Sequence, residues 1–271
     1  MELIKKENRL KELLLEKKHV AVAFSGGVDS TYLLAVCKDI EGLEVIALTA
    51  ISPLHAKEEG QFAFDFAKEN EIKHELIEMP LLEYKKIREN SPDRCYHCKR
   101  TIFSALIESV DERFTLADGT NLDDYKDYRP GLKACDELEI FHPLAMAEMT
   151  KSDIYALSEM RKLPTSTKPP FACLASRIPY NTFLTKENLR QVELAEEIIK
   201  KEGFKQYRVR HHGELARIEL LPQDINRLLD EKKREIIYKE LKKTGFSYVT
   251  VDLKGYKTGN MNINLDKNKK K

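Results

Sequence analysis

Residues 19–30 read HVAVAFSGGVDS, and the fold turns on them. His19 to Phe24 form a short apolar run, the pattern of a strand buried on both faces of a parallel sheet. Ser25-Gly26-Gly27 breaks the run, and Asp29 to Lys38 resumes with helical spacing. A glycine turn between a buried strand and a helix lets the backbone approach a polyanion, to which the helix N-terminus offers N–H groups. Ser25 and Ser30 add hydroxyls, and Asp29 suits a magnesium ion held on phosphates. The chain contains neither G-x-x-x-x-G-K-[ST] nor G-x-G-x-x-G, which excludes a Walker loop and a dinucleotide fingerprint. The bland alternative is a tight strand-to-helix turn with incidental serines.

Outward from this stretch, residues 3–18 place Leu3, Leu10, Leu13 and Leu14 along one helical stripe. Strands are expected at 44–50, 73–79 and 113–118. Ser52 and Pro53 look like the N-cap and first residue of a helix reaching about residue 70. Strands alternating with helices predict an α/β fold, with a parallel sheet covered on both faces. Thr150-Lys151-Ser152-Asp153 reads as a capping box opening a helix to about residue 162. KPPFACLASRIP (168–179) then marks a junction between a nucleotide domain over 1–180 and a smaller domain over 181–271. The smaller domain reads helix 185–201, strands 206–211 and 214–220, helix 222–243 and strand 246–253, an α+β order. The closing DKNKKK is expected to be a solvated tail.

The chain has 271 residues with 46 Lys plus Arg against 45 Asp plus Glu, a net charge of +1. That balance argues against a long nucleic acid as main partner, because neutralising many phosphates calls for an excess of basic residues. No run approaches about 18 apolar residues, so no membrane span is expected. The N-terminal MELIKKENRLKELLLEKK has no uninterrupted apolar core of a signal peptide. The expected location is therefore the cytoplasm, where cysteines serve as ligands, nucleophiles or packing residues.

Five cysteines are present. Cys95 and Cys98 form CxxC in PDRCYHCK (92–99), and Cys173 follows far downstream. Two ligands on one turn plus a third from a distant loop is a sensible metal site with one open position. Spacing alone leaves four readings: a 4Fe–4S cluster with one unligated iron, a zinc site completed by His97 or His74, a redox dithiol, or unconnected core thiols. Cys37 and Cys135 read as packing residues. Asp118, Thr120 and Asp123 follow an expected strand and so sit where α/β proteins bind ligands. The paired acids there are candidates for holding magnesium or shaping a nucleotide site. Arg94 and Arg177 flank the cysteines and could hold a carboxylate or phosphate. Arg208 and Arg210, alternating on one expected strand, suit a nucleotide monophosphate. Lys232, Lys233 and Arg234 read as an exposed basic patch, and His19, His55 and His74 as isolated.

SGGVDS after a strand resembles the loop of the PP-loop ATP pyrophosphatases, which split ATP to AMP and pyrophosphate while adenylylating a substrate. PDRCYHCK, DGTNLDD (118–124) with DYRPG (127–131), CLASRIPYN (173–181), VRHHGELARIE (209–219) and GYKTGNMN (255–262) sharpen this. The whole set resembles the LarE-type sulfur transferases and spans nearly the full chain. The resemblance implies a PP-loop domain joined to a small α+β domain serving substrate binding or self-association. It implies ATP with magnesium as cosubstrate, bound by Ser25, Gly26, Gly27, Asp29, Ser30, Asp118, Thr120 and Asp123. The second substrate would be a pyridinium dicarboxylate mononucleotide, held by Arg94, Ser176, Arg177, Arg208 and Arg210 and converted to a thiocarboxylate for the nickel-pincer nucleotide. One branch of the family has only the cysteine matching Cys173 and sacrifices its sulfur. The cysteines at 95 and 98 point instead to the branch in which Cys95, Cys98 and Cys173 hold a 4Fe–4S cluster, fed by a sulfide source that the sequence does not identify. Two other readings stand beside it: a cluster-dependent tRNA thiolase, and a non-catalytic nucleotide or iron–sulfur module.

Overall fold

The computed structural model describes residues 1–126, 130–168 and 172–257. The chain opens with α1 (Glu2–Lys17), β1 (His19–Ala23), α2 (Val28–Lys38), β2 (Glu44–Ile51), α3 (Lys57–Glu69) and β3 (Lys73–Glu78). There follow the short α4 (Lys85–Arg88), then α5 (Arg94–Glu108), β4 (Thr115–Ala117), α6 (Pro130–Glu137), α7 (Pro143–Met146) and α8 (Lys151–Met160). Last come α9 (Lys186–Lys201), β5 (Tyr207–His212), β6 (Leu215–Leu220), α10 (Ile225–Leu228), α11 (Glu231–Lys243) and β7 (Tyr248–Val251). These elements form two compact units. One comprises Met1–Pro80 and Asp93–Phe171; the other comprises Leu81–Pro92 and Ala172–Lys271.

In the first unit all strand pairs are parallel, in the order β3-β2-β1-β4. The apolar run read from the sequence is the central strand, with Val20, Ala21 and Val22 wholly buried. Successive strand side chains point to opposite faces. Val20, Val22, Ala47 and Ala117 therefore join one core, with Leu10 and Leu14 of α1, Leu33 of α2, Phe66 of α3 and Leu157 of α8. Ala21, Ile46, Leu48 and Leu116 join another, with Phe103 and Leu106 of α5 and Cys135 of α6. This is the α/β arrangement the alternation predicted, with helices on both faces.

Two local expectations are corrected here. The helix expected from Ser52 begins only at Lys57, with Ala56 as its N-cap. The Ser52 hydroxyl instead accepts from the Leu54 N–H at 3.2 Å, closing a tight turn straight after β2. The 222–243 helix is in fact a 3-10 turn at Pro222–Asp224, then α10, then α11. Asp230 breaks it, because its carboxylate caps α11 by accepting from the Lys233 N–H at 3.1 Å. The sequence reading also lacked α5, the helix that carries CxxC. The expected capping box is present, Thr150 with Asp153 on α8, and a second that the sequence reading did not name, Thr185 with Asn188, opens α9.

The second unit holds a three-stranded sheet, β5-β6-β7, with β5 and β6 antiparallel and β6 and β7 parallel. Ile199 of α9, Phe204, Val209, Ile218, Leu241 of α11 and Phe246 fill its core. Residues 81–92 belong to this unit although they follow β3. Asn90 has no exposed surface, and its side-chain amide donates to the carbonyls of Ile178 at 3.2 Å and Pro179 at 2.9 Å. Residues 127–129, part of the DYRPG motif, lie outside the described residues, as do 169–171 and the end of GYKTGNMN with the basic tail.

Candidate active site

The glycine turn is a built loop. Gly26 has φ 70°, a left-handed conformation that favours glycine, and a Cβ there would stand 2.9 Å from the Phe62 ring. The Ser30 hydroxyl accepts from the Ser25 N–H at 3.3 Å and donates to the Gly27 carbonyl at 3.3 Å. Gly27 N-caps α2 without a side-chain cap, so the first turn of the helix presents its amides beside the loop. Asp29 lies in that first turn. Its carboxylate pairs with the Lys151 ammonium and accepts from the Asn121 amide at 3.4 Å. Burial pushes the Asp29 pKa up, against the opposing pull of Lys151. Lys168 donates to the Gly26 carbonyl at 3.1 Å and lies over the Phe62 ring.

Next to the loop, β4 is followed at once by Asp118-Gly119. A Cβ on Gly119 would stand 2.9 Å from the Ser30 backbone nitrogen, so this strand end packs directly on the loop. Asp118 accepts from His142 Nδ1 at 2.7 Å, the Thr120 N–H at 2.9 Å, the Thr120 hydroxyl at 2.8 Å and the Lys99 ammonium at 3.2 Å. Burial alone would raise its pKa; the His142 bond and the Lys99 charge outweigh that and hold it well below the usual carboxylate range. Lys99 also donates to Cys135 Sγ at 3.4 Å, and Gly131 leaves it room. Asp123 accepts from the Lys151 N–H at 2.8 Å, linking the 118–124 turn to the start of α8. The structure thus gathers Ser25, Gly26, Gly27, Asp29, Ser30, Asp118 and Thr120 at the carboxyl edge of the sheet, with Asp123 tied in through Lys151.

Cys95 and Cys98 stand three residues apart in the opening turns of α5, both half-buried. Arg94 is 2% exposed and donates to Cys95 Sγ at 3.6 Å. His97 pairs with Asp93 at 3.2 Å, and His74 meets the Thr49 hydroxyl at 2.8 Å. Cys173 N-caps a 3-10 turn, Leu174–Arg177, in the second unit. None of the five cysteines forms a disulfide; Cys37 and Cys135 are buried, while Cys95, Cys98 and Cys173 are half-exposed. Among the described residues no group of three or more His, Cys, Asp and Glu side chains stands together as a metal centre.

Arg177 is engaged within its own unit. It forms a fork to Glu196, at 2.9 Å and 2.8 Å, and donates to the carbonyls of Ala172 and Cys173 and to the Ser176 hydroxyl. Arg210 pairs with Glu219 at 2.7 Å and donates to the Ser176 carbonyl at 2.9 Å. Arg208 projects from the same face of β5, opposite core residue Val209. Its guanidinium lies 5.2 Å from the Tyr256 ring, and burial, with Arg177 nearby, lowers its pKa. The expected substrate residues Ser176, Arg177, Arg208 and Arg210 are therefore together, around the turn that carries Cys173. Lys99, His142, Lys151, Glu196 and Glu219 were not singled out from the sequence. The partners of the first four lie 13 or more residues away along the chain, and Glu219 meets Arg210 only across the β5–β6 pair.

A parallel sheet whose central strand feeds a glycine-broken loop into a helix, with a buried acid on the neighbouring strand end, defines an α/β protein of PP-loop-like fold. No family model matches the chain. A protein of Lactiplantibacillus plantarum named pyridinium-3,5-bisthiocarboxylic acid mononucleotide synthase is 36% identical over 97% of this chain and 95% of its own length. Uncharacterized proteins of Synechocystis and Methanocaldococcus jannaschii are 35% and 32% identical, again over nearly the whole of both chains. The chain belongs to the LarE family. No helix among the described residues is long and apolar enough to cross a membrane.

Proposed function

We propose that this protein is an ATP-dependent sulfur transferase that converts a carboxylate of a pyridinium dicarboxylate mononucleotide to a thiocarboxylate, on the route to the nickel-pincer nucleotide. The near full-length match to the synthase carries this reading. The loop geometry supports the ATP-dependent half: the α2 amides and the Ser25 and Ser30 hydroxyls would receive the phosphates, and Asp29, paired with Lys151 here, would hold the magnesium that ATP brings. A substrate carboxylate oxygen attacks the α-phosphorus, forming the acyl phosphate bond as pyrophosphate leaves. Sulfur then attacks the acyl carbon, the carbon–oxygen bond to AMP breaks, and the thiocarboxylate remains. Arg208 suits the mononucleotide phosphate, with Arg177 and Arg210 fixing the turn around it.

The donor set fits an iron–sulfur cluster, since the half-exposed free thiols are the CxxC pair and Cys173. Cys95, Cys98 and Cys173 would hold it, and bound there it would supply the transferable sulfide. Incubation with ATP, magnesium and the dicarboxylate mononucleotide is expected to release pyrophosphate and yield the thiocarboxylate. No pyrophosphate from a verified substrate would refute the reading. Anaerobic reconstitution is expected to give a brown protein with about four irons per chain, and Ala at any of the three cysteines to abolish the colour. A colourless wild type whose Cys173 loses sulfur mass during turnover would establish sacrificial donation instead.

A further inference from the structure

We propose that Lys99 and Cys135 form a modification site, whose side chains dioxygen joins covalently through one oxygen atom as a lysine–cysteine N–O–S bridge. The sequence reads Cys135 as a packing residue and does not single out Lys99. The structure puts the Lys99 ammonium 3.4 Å from Cys135 Sγ, with α5 and α6 in the same compact unit.

Lys99 is held there from several sides. Asp118 accepts from its ammonium at 3.2 Å, and the Phe103 ring centre lies 5.2 Å from it. Gly131 leaves room for its stem, since a Cβ there would stand 2.9 Å from Lys99 Cδ. An amine fixed against a thiol has already given up the freedom that would otherwise slow their joining. The other buried thiol, Cys37, belongs to the core on the opposite face of the sheet and offers Cys135 no disulfide partner. The Lys99 side chain is 36% exposed, which gives dioxygen its approach. Burial pushes the Cys135 thiol up to about 11, so it meets the oxidant protonated and the bridge is expected to form slowly. The same burial shields the finished bridge.

Each bridge consumes one molecule of dioxygen. The S–H bond, two N–H bonds of the ammonium and the O–O bond break, while the N–O and O–S bonds form. One oxygen atom stays between nitrogen and sulfur, the other leaves as water, and one proton goes to solvent. Dioxygen takes four electrons, two from nitrogen and two from sulfur. The product lacks the positive charge that Asp118 holds in the reduced protein, and Gly119, the next residue, packs on Ser30. Bridging is therefore expected to weaken MgATP binding; that consequence, unlike the bridge itself, rests on the ATP-dependent reading above.

The test uses the full chain, reduced, freed of reductant and then kept in air-saturated or anaerobic buffer. Peptide mass mapping is expected to find, only after air, the Lys99 and Cys135 peptides joined with a gain of about 14 Da. Dithiothreitol is expected to split them and restore trypsin cleavage after Lys99. K99R, which keeps a charge beside Asp118, and C135A are each expected to abolish the gain. Unjoined peptides in air-treated wild type, or Cys135 carried only to a sulfenic or sulfinic acid, would overturn the proposal. A gain of about 14 Da that persists in K99R would overturn it too. In calorimetric titration the bridged protein is expected to bind MgATP several-fold more weakly than the reduced protein, with recovery on reduction. Equal affinities would overturn the coupling to the loop, and no MgATP binding by either form would overturn the ATP-dependent reading while the bridge stands.

Discussion

Asp118 shows how a single side chain organises this molecule. With four hydrogen bonds around it, the carboxylate stays ionised far below its ordinary range despite its burial. A depressed carboxylate pKa contributes stability that is full above the unfolded value, about 3.9, and is lost as pH falls from there toward the folded value. Asp118→Asn is therefore expected to lower stability by about 2–3 kcal/mol at neutral pH, by stripping Lys99 of its carboxylate. It should also flatten the acid limb of the stability curve below roughly pH 4. Urea unfolding at pH 7 and pH 3 checks both; equal losses for wild type and variant on acidification would contradict the assignment. Gly119 makes a second residue-scale case. Its missing Cβ keeps the strand end against Ser30, so Gly119→Ala is expected to weaken MgATP binding about tenfold or more by displacing the loop. Calorimetric titration with ATP decides it.

At the scale of elements, local chemistry sets most boundaries. The Thr150 cap joins α8 to the glycine loop, because Lys151, the residue after the cap, holds both Asp29 and Asp123. Thr150→Ala is expected to cost about 1 kcal/mol and to lower the midpoint of thermal unfolding by roughly 2–4 °C, with Thr150→Ser close to wild type. The elements readable in advance were those whose signals are contiguous: the β1 run, the glycine break and the Thr150 capping box. α5 was not among them. Its opening RCYHCKR is polar, and its buried positions, Arg94, Phe103 and Leu106, leave a sparse stripe. Ser52-Pro53 has the composition of a helix start, but the hydroxyl found a nearer amide. Two partners of Asp118 fall outside any local pattern, since Lys99 and His142 lie 19 and 24 residues away and meet it only when the sheet forms.

For the whole molecule, the cysteines divide by exposure as their spacing implied. Cys37 and Cys135 have no exposed surface, and burial drives both thiols up, Cys135 to about 11. Native, metal-free protein treated with iodoacetamide at mildly alkaline pH is expected to take label at Cys95, Cys98 and Cys173 and at the other two only after denaturation. Peptide mass mapping reads this directly, and early label on Cys135 would contradict the buried assignment. The balance of 46 basic and 45 acidic residues predicts that immobilised tRNA will not retain the protein even at low salt; retention there would revive RNA thiolation.

The excursion of residues 81–92 into the second unit bears on how the protein can be handled. A stop codon after residue 171 looks like a clean way to express the parallel-sheet half by itself. It would instead remove the carbonyls of Ile178 and Pro179 that receive the Asn90 amide, and the Leu184 amide that bonds Arg88. Leu81, Ile87 and Asn90, all without exposed surface in the intact chain, would be cut off from the unit to which they belong. No single scission yields two whole pieces, because the second unit takes residues 81–92 from within the stretch that builds the first, so those residues reach their finished surroundings only once the C-terminal half has been synthesised.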